Sequence, residues 1–120
     1  MSRQYDSVYK LTTPAGVKRL LRDRHDIAER RYKGDTDASD ILLDLYDAID
    51  SAGLSDQQAL AVALLYGPAQ LTQEEAAEVL SIQRQNVARY VNKAARKIAR
   101  VYRKWEEEDE YDKKHRKGDN

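Results

Sequence analysis

One long amphipathic helix is the feature of this sequence that most restricts its fold. Apolar residues recur at alternating spacings of four and three, the pattern of a single buried helix stripe: Val87, Val91, Ala94, Ile98, Val101 and Trp105. Two residues rotate about 200° around a helix, so the positions two further on lie roughly opposite that stripe. The first five of those positions are all basic: Arg89, Lys93, Arg96, Arg100 and Arg103. The pattern predicts a helix that is apolar inward and cationic outward.

The charges of the chain are segregated along its length. Between Val79 and Trp105 there are eight Lys or Arg and no Asp or Glu, whereas residues 34–83 contain ten acids and no Lys or Arg. The formal net charge of zero therefore hides one strongly cationic element. Such an element attracts a polyanion, and we expect that polyanion to be nucleic acid.

The composition suits a single soluble domain. A chain of 120 residues with 41% hydrophobic content can bury a modest core. Cysteine is absent, which excludes disulfides and thiolate metal sites, and no apolar run approaches the roughly 20 residues that span a bilayer. The amino terminus also lacks the apolar core of a signal peptide. We therefore expect a cytoplasmic protein without a membrane partner.

Neither catalysis nor metal binding is predicted. His25 and His115 are far apart in the sequence, so they do not suggest a set of convergent metal ligands. Acids are plentiful, yet they lie on amphipathic faces or near the carboxyl terminus, without a paired His, a Cys or a glycine-rich loop. We expect no enzyme activity and no cofactor.

Local signals predict where the helices begin and end. Thr13 and Pro14 are suited to the N-cap and first position of a helix that ends near Tyr32, and a second helix runs from near Asp37 to Gly53. Two capping boxes start two further helices, and they are formed by Ser55 with Gln58 and by Thr72 with Glu75. No strand pattern is present. We predict an all-α fold of four to five helices in one compact domain, ending in the long basic helix.

Three segments are expected along the chain. Residues 1–12 form a flexible N-terminal arm, although its Tyr5, Tyr9 and Leu11 leave docking on the body open. Residues 13–105 form the single helical domain, with a helical N-terminal part at 13–53 and a helix-turn-helix part at 54–105. Residues 106–120 carry an acidic block and then a basic block without apolar spacing, so we predict a fraying helix end and a disordered tail.

Residues 72–100 fit a helix-turn-helix. Ala76 and Ala77 are small enough for two helices to cross closely, and Ile82 and Val87 can seat the second helix on the first. The second helix of such a motif presents its first turns to base edges in the major groove of DNA. The residues predicted to read bases there, by hydrogen bonds or by contact with a thymine methyl group, are Arg84, Gln85, Asn86, Ala88 and Arg89.

Phosphate contacts are expected from two other places. The helix that begins after Thr72 has free backbone N–H groups at its N-terminus, where Thr72 and Gln73 are candidates for backbone contacts. Farther along the last helix, four basic residues are placed for phosphates, which fix register without reading sequence: Lys93, Arg96, Lys97 and Arg100.

The segment from Leu54 to Ala99 resembles the C-terminal DNA-binding domain of bacterial sigma factors, their fourth region. The resemblance lies in the run LT-x-EEAA-x-x-L-x-I-x-R-x-x-V and in the later A-x-x-K-I. It implies contacts to the −35 promoter element by residues 84, 85, 88 and 89, and RNA polymerase as a possible partner. The chain departs from the family pattern at Ser81, Gln85 and Ala88 and has no recognisable second region upstream. The resemblance thus implies a stand-alone regulator of the phage or mobile-element type.

The leading hypothesis is a sequence-specific, double-stranded DNA-binding transcription regulator. A palindromic site would require a homodimer, which the sequence leaves open. Two alternatives also remain open at this stage. One is a DNA-binding subunit of a phage packaging or recombination machine, and the other is a sigma-domain mimic that sequesters a protein partner.

Overall fold

The computed structural model describes residues 6–118, with side chains from 8 to 115. Within that range the chain forms one compact all-α unit, as predicted, and contains no strand. A single helical turn precedes five longer helices. The six elements are α1 (Asp6–Tyr9), α2 (Pro14–Tyr32), α3 (Thr36–Ser51), α4 (Asp56–Tyr66), α5 (Gln73–Leu80) and α6 (Arg84–Gly118).

The helix starts follow from local hydrogen bonds. Thr13 caps α2 by accepting a hydrogen bond from the backbone N–H of Gly16 at 3.1 Å, and Pro14 occupies the first turn. Both predicted capping boxes are present, at Ser55 for α4 and Thr72 for α5. Only α3 starts differently from the expectation, because Asp35 caps it and brings its first residue forward to Thr36.

The main core is built around α6. The buried side of α6 packs against α2, α3 and α4. That buried side is wider than the predicted stripe, because it also takes in Ala95, Ala99 and Tyr102, while Val101 and Trp105 lie at its edge. The largest fully buried side chains of this core are Leu11, Val17, Leu20, Ile27, Leu42, Leu45 and Ile98.

A second, smaller core joins α5 to α6. Ala76, Ala77 and Val87 are buried there, and Leu64, Leu65, Leu80 and Ile82 pack around them. The turn between the two helices is closed by Ser81 in the left-handed conformation (φ 55°, ψ 43°) and by the N–H of Ile82, which donates to the carbonyl of Ala77 at 3.0 Å. This hydrogen-bond pattern fixes the direction in which α6 leaves α5.

The described part of the N-terminal arm packs on the body. Leu11 is 1% exposed, and the Tyr9 hydroxyl donates to the Asp23 carboxylate at 3.0 Å. Burial and this hydrogen bond raise the pKa of Tyr9. The backbone of Tyr9 passes so close to Gly16 that a Cβ there would lie 1.9 Å from its carbonyl oxygen. Residues 6–12 thus differ from the flexible arm expected, because Leu11 is buried in the main core and Tyr9 donates to Asp23 on α2. Residues 1–5 lie outside the described range.

α6 also continues well past its expected end at Trp105. Residues 106–118 are helical, whereas a fraying end and a disordered tail were expected there. This segment has no Pro, and its only Gly is the last residue, Gly118. It also places acids four residues before lysines, as in Asp109 to Lys113 and Glu110 to Lys114, a spacing that supports helices. At about 1.5 Å per residue, α6 extends about 50 Å. The acidic block therefore cannot fold back over the basic face, since it continues the same helix.

No helix within residues 6–118 is both long enough and apolar enough to cross a bilayer.

Two backbone positions allow a paired stability test of the turns. Ser81 and Gly53 both adopt positive φ, and both are exposed. A Cβ is disfavoured in this conformation. We expect Ser81→Gly to raise the free energy of unfolding by about 0.5 kcal/mol and Gly53→Ala to lower it by about 1 kcal/mol. Urea denaturation measures both values, and changes of the same sign would contradict the assigned turn geometry.

Candidate nucleic-acid interface

The predicted base-reading residues lie together at the start of α6. Arg84, Gln85 and Arg89 are exposed, whereas Asn86 and Ala88 are half-buried. Val87 lies among them with no exposed surface and anchors this turn in the small core against α5. The burial of Val87 directs its neighbours outward at the amino-terminal end of the helix.

Arg84 connects the two helices of the pair at their surface. Its Nε lies 3.5 Å from Oε1 of Gln73, and its Nη1 lies 3.6 Å from Oε1 of Glu74. The Arg84 and Glu74 side chains are 64% and 79% exposed. Exposed pairs of this kind contribute only about 0–1 kcal/mol. The guanidinium is thus positioned near the N-terminus of α5 but remains available to a ligand.

At the N-terminus of α5, Thr72 is less available for a phosphate contact than predicted. The Thr72 hydroxyl accepts from the N–H of Glu75 at 3.1 Å, and the N–H of Thr72 donates to the Glu75 carboxylate at 3.0 Å. Both groups of Thr72 are therefore already engaged in the capping box. The N–H groups of Gln73 and Glu74 belong to the first helical turn and have no partner within the helix. Gln73 is the better placed of the two predicted contacts.

Three of the four basic residues of α6 that were predicted to contact phosphates share its outward face. Lys93, Arg96 and Arg100 are exposed and, together with Arg89, lie opposite the buried side. These four residues define what we call the cationic face. They lie within 12 residues (89–100), and the first and last of them are about 16 Å apart along the helix. A row of this length matches several successive phosphates of a nucleic-acid backbone.

Lys97 has a different position from the other three. Its Nζ donates to Oε1 of Gln58 at 2.8 Å and to the carbonyl of Gly53 at 3.3 Å. Gln58 lies in the first turn of α4 and is 7% exposed, and its Oε1 accepts both from Lys97 and from the N–H of Ser55. Position 97 falls beside the buried side of α6 rather than opposite it. The phosphate role predicted for Lys97 thus competes with two internal hydrogen bonds.

Lys18 was not recognised from the sequence as part of this region. Its ammonium donates to Oδ1 of Asn92, although the two residues are 74 positions apart. The contact places a positive charge from α2 against α6 at Asn92. No local pattern marks Lys18, because only the packing of α2 on α6 brings it there.

The positive charge of α6 ends abruptly. Arg103 borders the same cleft as Thr12, Glu106, Glu107 and Glu110. From Glu106 to Asp112 the helix carries only acids and Tyr111. The cationic face is therefore limited on its carboxyl side by a segment that repels phosphates. Among the side chains described, no group of three or more His, Asp or Glu is arranged to hold a metal ion.

Comparison of the chain with protein-family models, with curated proteins and with solved structures gave no match.

Lys97 and Arg96 form a matched pair for a stability test. We expect Lys97→Met to lower the free energy of unfolding by about 1 kcal/mol, because Oε1 of Gln58 and the carbonyl of Gly53 lose a charged donor, while Oε1 keeps the N–H of Ser55. Arg96→Met removes the same charge from an exposed neighbouring position and should change stability by less than about 0.5 kcal/mol. Chemical denaturation compares the two variants. Equal losses would show that Lys97 has no internal role.

The capping box at the start of α5 predicts how Glu75 titrates. Hydrogen bonds from the Thr72 backbone and hydroxyl lower the pKa of Glu75 below its ordinary value of 4.5. Because the ionised form is favoured in the folded state, its contribution to stability is present above pH 4.5 and is lost as the pH falls through the lower folded-state pKa.

Carboxyl-carbon NMR of Glu75 should therefore give a midpoint below 4.5. Thr72→Ala should move that midpoint back toward the ordinary value and cost about 1 kcal/mol of stability through the lost cap. A Glu75 midpoint that does not change in Thr72→Ala would rule out the hydroxyl contribution.

Proposed function

We propose that this chain is a sequence-specific, double-stranded DNA-binding transcription regulator that uses α5 and α6 as a sigma region four-like helix-turn-helix. The observation that carries the proposal is the cationic face of α6, which is exposed and lies opposite the buried side. Solvated helix faces usually mix charges of both signs, whereas no acid occurs between Val79 and Trp105. A face with charges of one sign is better explained by binding to a polyanion than by exposure to solvent alone.

In this proposal the first turns of α6 enter the major groove. Arg84 and Arg89 would donate to guanine O6 and N7, while Gln85 and Asn86 would pair with adenine N6 and N7. Arg84 would exchange its exposed contacts with Gln73 and Glu74 for a base, which costs little because those contacts are weak. Ala88 is only half-buried and would lie near a thymine methyl group.

Contacts to the DNA backbone would come from residues on both sides of the base-reading residues. Lys93, Arg96 and Arg100 would neutralise phosphates along one strand, and Lys18 would add a charge from α2. The free N–H of Gln73 would bind a phosphate at the start of α5. Lys97 would contribute mainly to the positive electrostatic potential of α6, since its ammonium donates to Gln58 and Gly53.

RNA polymerase is the protein partner that the sigma-like pattern favours, and the outer face of α3 is the surface we propose for it. Leu43 on that face is 50% exposed and lies between Asp40 and Asp47. An exposed apolar side chain among acids suits a partner surface with a basic rim. The proposed setting is the cytoplasm, with the protein acting as a stand-alone regulator of the phage or mobile-element type.

Two substitutions separate base reading from phosphate binding. Arg84→Ala should reduce affinity for a selected site by about 1–3 kcal/mol more than for random DNA, because a base contact is lost. Arg96→Ala should weaken both DNAs alike and reduce the slope of log affinity against log salt by about 0.9, the value of one phosphate contact.

The measurement begins with selection of bound sequences from a random duplex pool, followed by titration of the selected site at several salt concentrations. Equal losses on both DNAs for Arg84→Ala would contradict base reading by that residue. Binding without any enriched motif would instead favour a packaging or recombination role. Absence of binding would favour a protein partner and overturn the proposal.

A further inference from the structure

The outer side of α4 is apolar but exposed. Residues 57–73 include no charged residue in a chain of which 35% is charged. The inner side of α4 buries Gln58, Ala61 and Val62, as expected for a helix that packs on α6. Its outer side carries Ala59, Leu60 and Ala63, and Leu60 is 47% exposed. After its polar first turn (Asp56, Gln57 and Gln58), α4 carries no charged or amide side chain, and a helix that is apolar on all sides is normally covered on all sides.

We propose that a second copy of this chain covers α4, with the two α4 helices antiparallel about a two-fold axis near Leu60 and Ala63. This dimer goes beyond the proposed DNA-binding function and does not depend on it. The outer face of α4 consists of one large side chain beside two small ones four residues apart. Leu60 of each copy then fits between Ala59 and Ala63 of the other, as a side chain fits between those of a facing helix.

The charge distribution favours a second copy over a charged partner. An uncharged surface offers nothing to complement a basic or acidic protein, whereas it matches itself without repulsion. The helix has one exposed charge, at Asp56. Antiparallel pairing places Asp56 opposite the uncharged carboxyl end of the other α4, near Gly67. Parallel pairing would bring the two Asp56 side chains together, and this orientation is disfavoured.

The size of the surface indicates a weak dimer. Eleven residues give α4 a length of about 16 Å. Two such helices alone bury less than the roughly 800 Å² per partner of a standard interface. The exposed and uncharged loop residues 68–70 follow α4 directly and extend the same surface. We expect dissociation constants on the order of 10–100 µM.

Sedimentation velocity of the full chain, without DNA and at about 0.3 M salt, tests this proposal. The salt weakens any association between the cationic face and the acidic α3, while an apolar contact persists. The wild-type protein should pass from monomer to dimer as its concentration rises from about 1 µM to 1 mM. Leu60→Asp should stay monomeric throughout this range, because it places a charge at the centre of the contact.

Val8→Asp is the matched control. Val8 is 60% exposed on α1, which packs on α2, so this variant introduces the same charge at an exposed aliphatic residue away from α4 and should dimerise like the wild type. Circular dichroism and thermal unfolding at low concentration establish that both variants fold. Should Leu60→Asp fail to fold, Ala63→Lys replaces it, since Ala63 is exposed and lysine is a good helix former.

Three outcomes would overturn the proposal. The first is a wild-type protein that remains monomeric at 1 mM, which would assign the α4 face to another protein. The second is dimerisation that Val8→Asp abolishes and Leu60→Asp leaves intact. The third is self-association that is present in a parallel run at about 0.1 M salt and absent at about 0.3 M, which would identify an electrostatic contact between α6 and α3.

Discussion

The burial of one side of α6 is the constraint on which the rest of the structure depends. Val87 anchors the helix in the small core with α5, and Ile98 anchors it in the large core with α2, α3 and α4. Fully burying side chains of this size contributes about 1.5–3 kcal/mol each. Because both cores share one rigid helix, the orientation of the helix-turn-helix relative to the body is set by packing rather than by a linker.

The stability gained from that burial also offsets the repulsion between the like charges of the cationic face. Like charges three or four residues apart repel each other, and the pairs Arg89 with Lys93 and Arg96 with Arg100 each cost about 0.2–0.5 kcal/mol. A helix stabilised mainly by its other side can accommodate this cost. Acids at some of these positions would remove the repulsion and stabilise α6. The absence of acids therefore supports a role for the face outside the folded chain.

The sequence predicts the helix starts well because their signals are local. Each capping box involves residues only three apart, and Thr13, Ser55 and Thr72 act as N-caps as expected. The end of α6 is not predicted by apolar spacing, because residues 106–117 lack it and are instead suited to a helix by their acid-to-lysine pairs four residues apart. A stop signal would have been Gly or Pro, and the only Gly of this segment is Gly118 itself.

The candidate site could be predicted only in part, for two physical reasons. The buried side of α6 is wider than a single stripe, so Lys97 falls at its margin and bonds to Gln58 instead of facing outward. Tertiary packing brings Lys18 to Asn92, and no spacing along the chain predicts this contact. The four residues of the cationic face are exposed, as the spacing predicts. They lie in the middle of the polar side of α6, so their exposure does not depend on the exact width of the buried side.

The central claim is that DNA binds along the cationic face with the start of α6 in the groove. Titration of the isotope-labelled protein with a selected duplex, followed by NMR of backbone amides and arginine side chains, tests it most directly. The account predicts the largest shifts at Arg84, Gln85 and Arg89 and at the amide of Gln73, with smaller shifts through Arg100. Shifts concentrated on α3 or on residues 106–115, with an unperturbed start of α6, would contradict it.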